Sequence, residues 1–348
     1  MFIKILRAKY DIFLFPCFAK KDENREYYAG HLKSMGIKII TPSDFGRANF
    51  SLELLVLLKE KRFKIIWFDF LFIFEIYYPY LKDLLKDVPV FLTVHDLNYP
   101  WFDIKIDILK RKLKYHIGEY KKIELRNYEK ADFLITTSEA DKEQLLKENP
   151  DFRIKTVPTP FEPHKGSRRK PGKDLLFIGD MHRGVNIDAM RYFRKNIFPL
   201  IKKEIPEVRL FIVGSSPDKK KKKAGDDGIV ETGWVSDLSG YLDSCRVFVA
   251  PMRWGGGIKN KLIQAMWAGL PIVSTSAAAE GMGFSDNRNI LIADDPADFA
   301  EKVVLLYRDT VLSKKLAASA LSLARSTYSM NAVKEKLIDL FEKYEFAR

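Results

Sequence analysis

Along most of the chain, short apolar runs rich in Ile, Val and Phe alternate with longer stretches whose apolar residues recur at helical spacing. That alternation predicts βαβ units and parallel sheets. In the first half it predicts strands near Asp11–Phe15, Ile37–Thr41, Lys64–Phe68, Val90–Val94, Phe133–Thr136 and Ile154–Val157, with helices between them. The periodicity stops near Thr159. The segment Thr159–Lys173, TPFEPHKGSRRKPGK, gathers proline, glycine and basic residues in the manner of an interdomain linker. A second series follows: strand Leu175–Ile178, a helix over Asn186–Glu204 capped by Asn186, strands Arg209–Val213 and Ile229–Thr232, a helix over Leu238–Ser244, and strand Val247–Ala250. The expected fold class is α/β, two doubly wound domains in tandem, which bind ligands at the carboxyl ends of their strands in the cleft between them.

The stretch Arg253–Gly281, RWGGGIKNKLIQAMWAGLPIVSTSAAAEG, carries the most chemistry. Gly255, Gly256 and Gly257 open a loop, Lys259 and Lys261 follow, and Leu262, Ile263, Ala265, Met266 and Ala268 form an apolar helix pattern ending at a C-cap, Gly269. Pro271 then starts a buried strand, Ile272–Thr275. A glycine-rich loop feeding a helix N-terminus leaves free backbone N–H groups and the positive end of the helix dipole outward, here with lysines beside them. Such a site suits a phosphate or diphosphate. A tight turn and nothing more is the alternative. Neither GxGxxG nor GxxxxGK[ST] is matched, so hydride transfer to a nicotinamide cofactor and P-loop phosphoryl transfer are disfavoured.

Length and composition change the picture only in part. The 348 residues, 47% hydrophobic and 13% aromatic, are enough for two domains with separate cores. A net charge of +13 favours acidic partners such as nucleotide diphosphates, anionic lipid head groups or nucleic acid, or else reflects a lysine-rich surface. The run Lys219–Lys223 reads as a solvated loop or a polyanion site. Two cysteines, Cys17 and Cys245, at no metal-ligand spacing, suggest a reduced, cytosolic protein without disulfides or structural zinc. The N-terminus MFIKILRAKYD is not a secretory signal, because Lys4, Arg7 and Lys9 interrupt it. The most apolar segment, Ile65–Tyr80, is too short to span a bilayer comfortably and reads as a strand to Phe70 followed by a core-facing helix.

Other candidates lie at strand ends. Gly179, His182, Arg183 and Gly184 follow the first strand of the second series, where Arg183 can reach a phosphate and His182 is a ligand or a hydrogen-bonding spacer. His95 ends strand Val90–Val94, placed to bind a sugar hydroxyl or carry a proton, or else to pair locally with Asp96. Glu280, after strand Ile272–Thr275, can accept hydrogen bonds from sugar or ribose hydroxyls.

The runs LLFIGDMHRGVNIDAMRYFRKNIFPLIKKEIPEVRLFIVGSSP and GWVSDLSGYLDSCRVFVAPMRWGGGIKNKLIQAMWAGLPIVSTSAAAEGM resemble the C-terminal domain of group-1 (family-4 type) GT-B glycosyltransferases, closest to the bacterial branch that builds cell-surface polysaccharides. The resemblance covers about Leu175–Tyr328; TVHDLNYP and EKADFLITTSEADKEQL carry a fainter one. It implies two Rossmann-like domains facing a cleft: an acceptor domain over 1–160, a nucleotide-sugar domain over 174–330, and a C-terminal helix near 331–348 that packs back on the first. It implies a nucleotide-diphosphate sugar held through Gly255–Gly257, Arg183, Lys259 and Lys261, a glycan or lipid-linked acceptor, and His95 beside the donor sugar. Transfer is expected to be retaining and metal-independent, without cofactor, the leaving diphosphate helping to deprotonate the acceptor. The family's pair of glutamates falls on Gly256 and Gln264; Gln264 still offers a ribose hydroxyl a hydrogen bond, without charge. The N-terminal domain is apparently shortened, its first strand looking like the family's second unit. The expected setting is cytoplasmic, peripheral at an anionic inner membrane face, without nucleic acid. The competing reading is a catalytically weak GT-B-fold partner that binds a nucleotide sugar or glycan within an assembly complex.

Overall fold

Every strand pair among the described residues of the computed structural model is parallel, as continuous apolar strands joined by helical crossovers favour. The structure describes residues 2–15, 30, 32–39, 52–97, 117–162, 172–215 and 228–346. Cys17, the run Lys219–Lys223 and most of the linker after Glu162 lie outside them. The chain divides into one unit of Met1–Asp96, His116–Pro160 and Val333–Arg348, and a second of Leu97–Tyr115 and Phe161–Ala332.

In the first unit, β1 (Phe13–Leu14) pairs with β2 (Lys38–Ile39), and a separate four-stranded sheet runs in the order β3 (Ile66–Phe68), β4 (Val90–Val94), β5 (Phe133–Thr136), β6 (Ile154–Thr156). β4 lies inside this sheet and is buried along its whole length. The first two strands and β3 are shorter than the apolar pattern predicts; of the Ile37–Thr41 prediction, Ile40 and Thr41 lie outside the described residues. The helix Leu71–Leu81 faces the core as expected, but with one stripe only. Phe74 and Leu81 are buried, but Phe72, Ile76 and Tyr80 are 55%, 43% and 61% exposed. A helix can press only one stripe against a sheet, and nearly continuous apolar sequence leaves the opposite face apolar too. The C-terminal helix Met330–Phe346 buries Val333, Leu337, Leu340 and Phe341 at helical spacing. Within this unit Lys155 meets its Asp339 at 3.3 Å, and Lys9 pairs with Glu342.

The second unit holds a six-stranded sheet in the order β12-β11-β10-β7-β8-β9. Its strands are β7 (Asp174–Ile178), β8 (Leu210–Val213), β9 (Ile229–Gly233), β10 (Cys245–Ala250), β11 (Ile272–Ser274) and β12 (Leu291–Ile292). Leu175, Leu176, Phe177, Val247, Phe248 and Val249 are fully buried at its centre. From β7 the chain steps outward to β8 and β9; from β10 it steps the other way to β11 and β12. The winding therefore reverses between β7 and β10, and at such a switch point the two loops leaving the strands' carboxyl ends part and open a crevice.

The expected single helix over Asn186–Glu204 is three pieces: an α-helix Gly184–Tyr192, a π-helical turn Phe193–Ile197, and a helix Phe198–Glu204. Pro199 explains the break. It has no N–H for the carbonyl four residues back and its ring crowds that carbonyl, so the preceding turn widens; the Phe198 N–H bonds the Phe193 carbonyl, five residues back. At the end of the helix Asn260–Trp267 the C-cap is Ala268, and Gly269 is the residue after it, with φ of 65°. The Gly269 and Leu270 N–H groups bond the Met266 and Ala265 carbonyls, each at 3.0 Å. This double bond pattern requires the left-handed backbone that glycine adopts without strain.

Candidate functional site

The carboxyl ends of β7 and β10, adjacent at the switch point, emit the turn Gly179–Gly184 and the loop Pro251–Lys259. Two strand ends approach closely where the first leaves: the Gly179 N–H bonds the Val213 carbonyl at 2.9 Å, and a side chain added at Gly214 would lie 2.1 Å from the Gly179 carbonyl oxygen. A side chain at Gly179 would crowd Phe177 and Asn186. Gly214 allows backbone to approach backbone at the crevice, and Gly179 leaves room for the Phe177 and Asn186 side chains. In the glycine run, Gly255 and Gly257 have φ of 122° and 67°; Gly256 is outside the left-handed region.

The turn and the loop are held together by specific contacts. Arg253 forks onto Asp188 with bonds of 2.5 and 3.1 Å and lies 4.8 Å over the Tyr192 ring. Its charge is engaged by a buried carboxylate, which makes it an anchor of the loop. Trp254 is buried against Gly184, and a side chain at Gly255 would meet Val185 at 3.3 Å. From the other side, the Thr275 hydroxyl bonds the Met252 carbonyl, and the Lys259 N–H reaches the Met282 sulfur at 3.3 Å. Met282 is fixed in turn, its carbonyl accepting from the Tyr328 hydroxyl at 3.0 Å.

Asn186 is not the helix cap that its position suggests. The N-cap position is Arg183, without a side-chain cap bond, and Asn186 is buried in the first turn. There its amide donates to the Asp180 carbonyl at 2.8 Å and accepts from the Lys261 ammonium at 2.5 Å. A side chain already engaged in linking two loops is unavailable to cap its own helix. Lys261 also lies 4.3 Å over the face of Phe177. Among the described residues no carboxylate pairs with it. Burial, with the nearby charges of Arg183 and Lys259, pushes its pKa down to about 7. A cation enclosed by an amide, a ring and like charges is short of an anion.

One turn on from Lys261, the Gln264 side-chain oxygen is buried with no hydrogen-bond partner among the described residues, and so is the Trp254 indole N–H. Unsatisfied buried polar atoms are uncommon and ask for a partner. Arg183 and His182 are exposed at the mouth of the turn. The His182 ring meets Asp180 at 2.8 Å; burial alone would raise the Asp180 pKa, but hydrogen bonds and charge from His182 leave it below the ordinary carboxylate value. His182 is thus held locally, as a spacer would be. Glu280 is exposed at the end of the short helix Ser276–Ala279.

His95 sits in the first unit at the end of β4. Its local pairing with Asp96 is replaced by a partner from the neighbouring strand end: Nε2 lies 3.1 Å from Asp69 Oδ1. The ring stacks on Phe70 at 4.5 Å, and Thr137 donates to its carbonyl at 3.2 Å. β3 and β4 are hydrogen-bonded neighbours in parallel register, so their following residues emerge side by side. Spacing along one segment could not reveal this pair.

Comparison with known proteins bears on the fold and on residues 172–309. Residues 172–309 match the family described as "Glycosyl transferases group 1". An uncharacterized 44.6 kDa protein in the cps region of Klebsiella pneumoniae is 27% identical over 169 residues, 46% of this chain and 44% of its own length. Phosphatidyl-myo-inositol mannosyltransferase of Mycobacterium leprae is 27% identical over 184 residues, 49% and 46% of the two chains. The matches span less than half the length of these curated relatives. Among solved structures, Anabaena HepE in complex with UDP and glucose superposes with a TM-score of 0.70 at 12% identity, covering 98% of this chain and 95% of its own. Sucrose-phosphate synthase of Thermosynechococcus elongatus gives 0.70 at 15%, covering 99% and 92%. The fold is α/β of the GT-B type.

Proposed function

We propose that the protein is a glycosyltransferase of cell-surface polysaccharide synthesis, moving a sugar from a nucleoside-diphosphate sugar to a glycan or lipid-linked acceptor. The observation that carries this is Lys261: a buried ammonium with no carboxylate partner among the described residues, at the switch point, beside a helix N-terminus and Arg183. In this reading Lys261, Lys259, Arg183, the backbone of Gly255–Gly257 and the N-terminus of the helix Gly184–Tyr192 meet the diphosphate charge with no metal ion. Gln264 accepts from a ribose hydroxyl through its unpartnered oxygen, and Glu280 from a sugar hydroxyl. His95, oriented by Asp69 and Phe70, contacts the donor sugar during transfer. Retention, with the leaving diphosphate taking the acceptor proton, completes the proposed mechanism. The names of the Klebsiella relative, from a cps region, and of a Salmonella typhi Vi polysaccharide biosynthesis protein, 29% identical over 152 residues, support the polysaccharide setting.

The test is paired calorimetry and transfer assays on two folded variants. Joint replacement of Arg183, Lys259 and Lys261 by alanine should weaken nucleoside-diphosphate binding at least about tenfold, or 1.4 kcal/mol. His95→Ala should lower transfer by roughly one to two orders of magnitude and leave nucleoside-diphosphate affinity unchanged. Unchanged affinity in the first variant removes the diphosphate site; binding without any transfer in the wild type turns the enzyme into a binding partner.

Attachment to the anionic cytoplasmic face of the plasma membrane is also proposed. It rests on the net charge of +13 and the exposed face of Phe72, Ile76 and Tyr80 on the first unit. No helix among the described residues is long and apolar enough to cross a membrane. Binding to anionic vesicles should sediment the protein at low salt and weaken as salt screens the charge. Indifference to anionic lipid content would exclude it.

A further inference from the structure

Asp180, Asn186 and Asp188 follow β7 on the turn Gly179–Gly184 and the helix after it, and each meets a basic side chain. The two carboxylates are committed away from Lys261. Asp180 accepts from the His182 backbone N–H at 3.1 Å and meets its ring at 2.8 Å, and Asp188 takes the Arg253 fork. The amide between them, Asn186, is only 4% exposed, and it receives the Lys261 ammonium. On its other side the ammonium has the Phe177 ring, which is equally without net charge. Lys261 is thus held by neutral partners where two carboxylates stand within the same short segment.

The chemistry of its neighbours fixes which way the amide points. Nδ2 faces the Asp180 carbonyl at 2.8 Å, which only accepts, and Oδ1 faces an ammonium, which only donates. A side chain at Gly179 would lie 3.0 Å from the amide carbon and nitrogen of Asn186, so the glycine there admits the amide. A carboxylate in the same place would set an oxygen against the Asp180 carbonyl and would cancel the lysine charge. An amide oxygen accepts the hydrogen bond and leaves that charge uncompensated, at the energetic cost that any desolvated ion carries. Such a cost is recovered when an anion binds beside it.

We propose that Asn186 is a positioning residue for anion binding: it holds the Lys261 ammonium beside the turn Gly179–Gly184 without neutralising it, and so leaves the lysine charge to a bound diphosphate. Asn186 acts through Lys261 and does not itself touch the ligand. The inference rests on the diphosphate reading of Lys261 and adds to it a requirement for neutrality at position 186. An amide that served only to tie the turn to the helix through Asp180 would act independently of the lysine, and this separates the two roles.

The full chain and its variants are titrated by calorimetry with inorganic pyrophosphate and, separately, with nucleoside diphosphates. Asn186→Asp should weaken pyrophosphate binding at least about tenfold, because it supplies the missing counter-charge within hydrogen-bond reach. Asn186→Ala keeps the charge but releases the ammonium and should weaken binding about fivefold. In a Lys261→Met background the same alanine change should alter affinity less than about twofold, since a residue that acts only through its neighbour has nothing left to act on. A second readout needs no ligand. In protein labelled with ¹³C at lysine Cε, the resonance missing from Lys261→Met reports the titration of Lys261, and Asn186→Asp should raise its midpoint by about one pH unit or more, whereas Asn186→Ala should not raise it. An Asn186→Asp protein that binds both anions as tightly as the wild type, an alanine loss of equal size in both backgrounds, or an unmoved Lys261 midpoint in Asn186→Asp would each overturn the proposal. If Asn186→Asp does not fold, the alanine pair decides. Wild-type protein that binds pyrophosphate but no nucleoside diphosphate overturns the nucleotide reading alone, and failure to bind either overturns both.

Discussion

Lys261 shows how a single enclosed ammonium can cost the folded protein stability. Burial first, then Arg183 and Lys259, hold its pKa at about 7, well under the ordinary lysine value of about 10.4. Between those two values the unfolded chain binds a proton that the folded chain releases, so this residue makes stability rise with pH across that window. Below about pH 7 both states hold the proton, and the cost of the enclosed ammonium is fully present. Lys261→Met should therefore stabilise the ligand-free protein, on the order of 2 kcal/mol near pH 6. The gain should shrink towards pH 10. An anion that pairs with the ammonium raises its pKa, so wild-type affinity for a nucleoside diphosphate should fall as pH rises through about 7, and the variant should lack that dependence. Denaturant titrations of both proteins across the range provide the check; a gain independent of pH would show that the ammonium is not enclosed.

Elements differ in how far their sequences disclose them, and the difference is physical. β4, β5, β7 and β8 follow their apolar runs within a residue, because continuous apolar sequence has few ways to be buried other than as an interior parallel strand. The π-helical turn before Pro199 was legible in principle, since proline must disturb the ladder before it, but periodicity alone reads across it. The candidate site is legible where one segment holds its chemistry: Gly255–Gly257, Lys259 and Lys261 stand in one run. It is not legible where partners are distant in sequence. Arg253 with Asp188, Lys261 with Asn186, His95 with Asp69, and the chain from Tyr328 through Met282 to Lys259 join residues brought together only by strand order. Gly214 illustrates the same limit, because its reason for being glycine is the Gly179 carbonyl on another strand.

At the scale of the whole molecule, the two units differ in how well they are filled. Among the described residues, the second has a sealed central sheet, with Leu175, Phe177, Val247 and Phe248 fully buried and helices over it, whereas the first leaves the strand residues Phe13, Leu14, Ile66 and Trp67 only half-buried. Incomplete packing forfeits both transfer free energy and dispersion contacts, so the first unit should be the less stable per residue. Heating should then give two transitions, the lower one from the first unit. Nucleoside diphosphate, whose proposed contacts all lie in the second unit, should act selectively. At about one hundred times its Kd it adds ~2.7 kcal/mol to that unit, which at about 2–4 °C per kcal/mol for a body of this size raises the upper transition by roughly 5–10 °C. The lower transition should stay in place. Calorimetric scans with and without the nucleotide decide the matter. A single transition that the nucleotide shifts as a whole would mean that the units unfold as one body and that the half-buried strands do not set the weaker end of its stability.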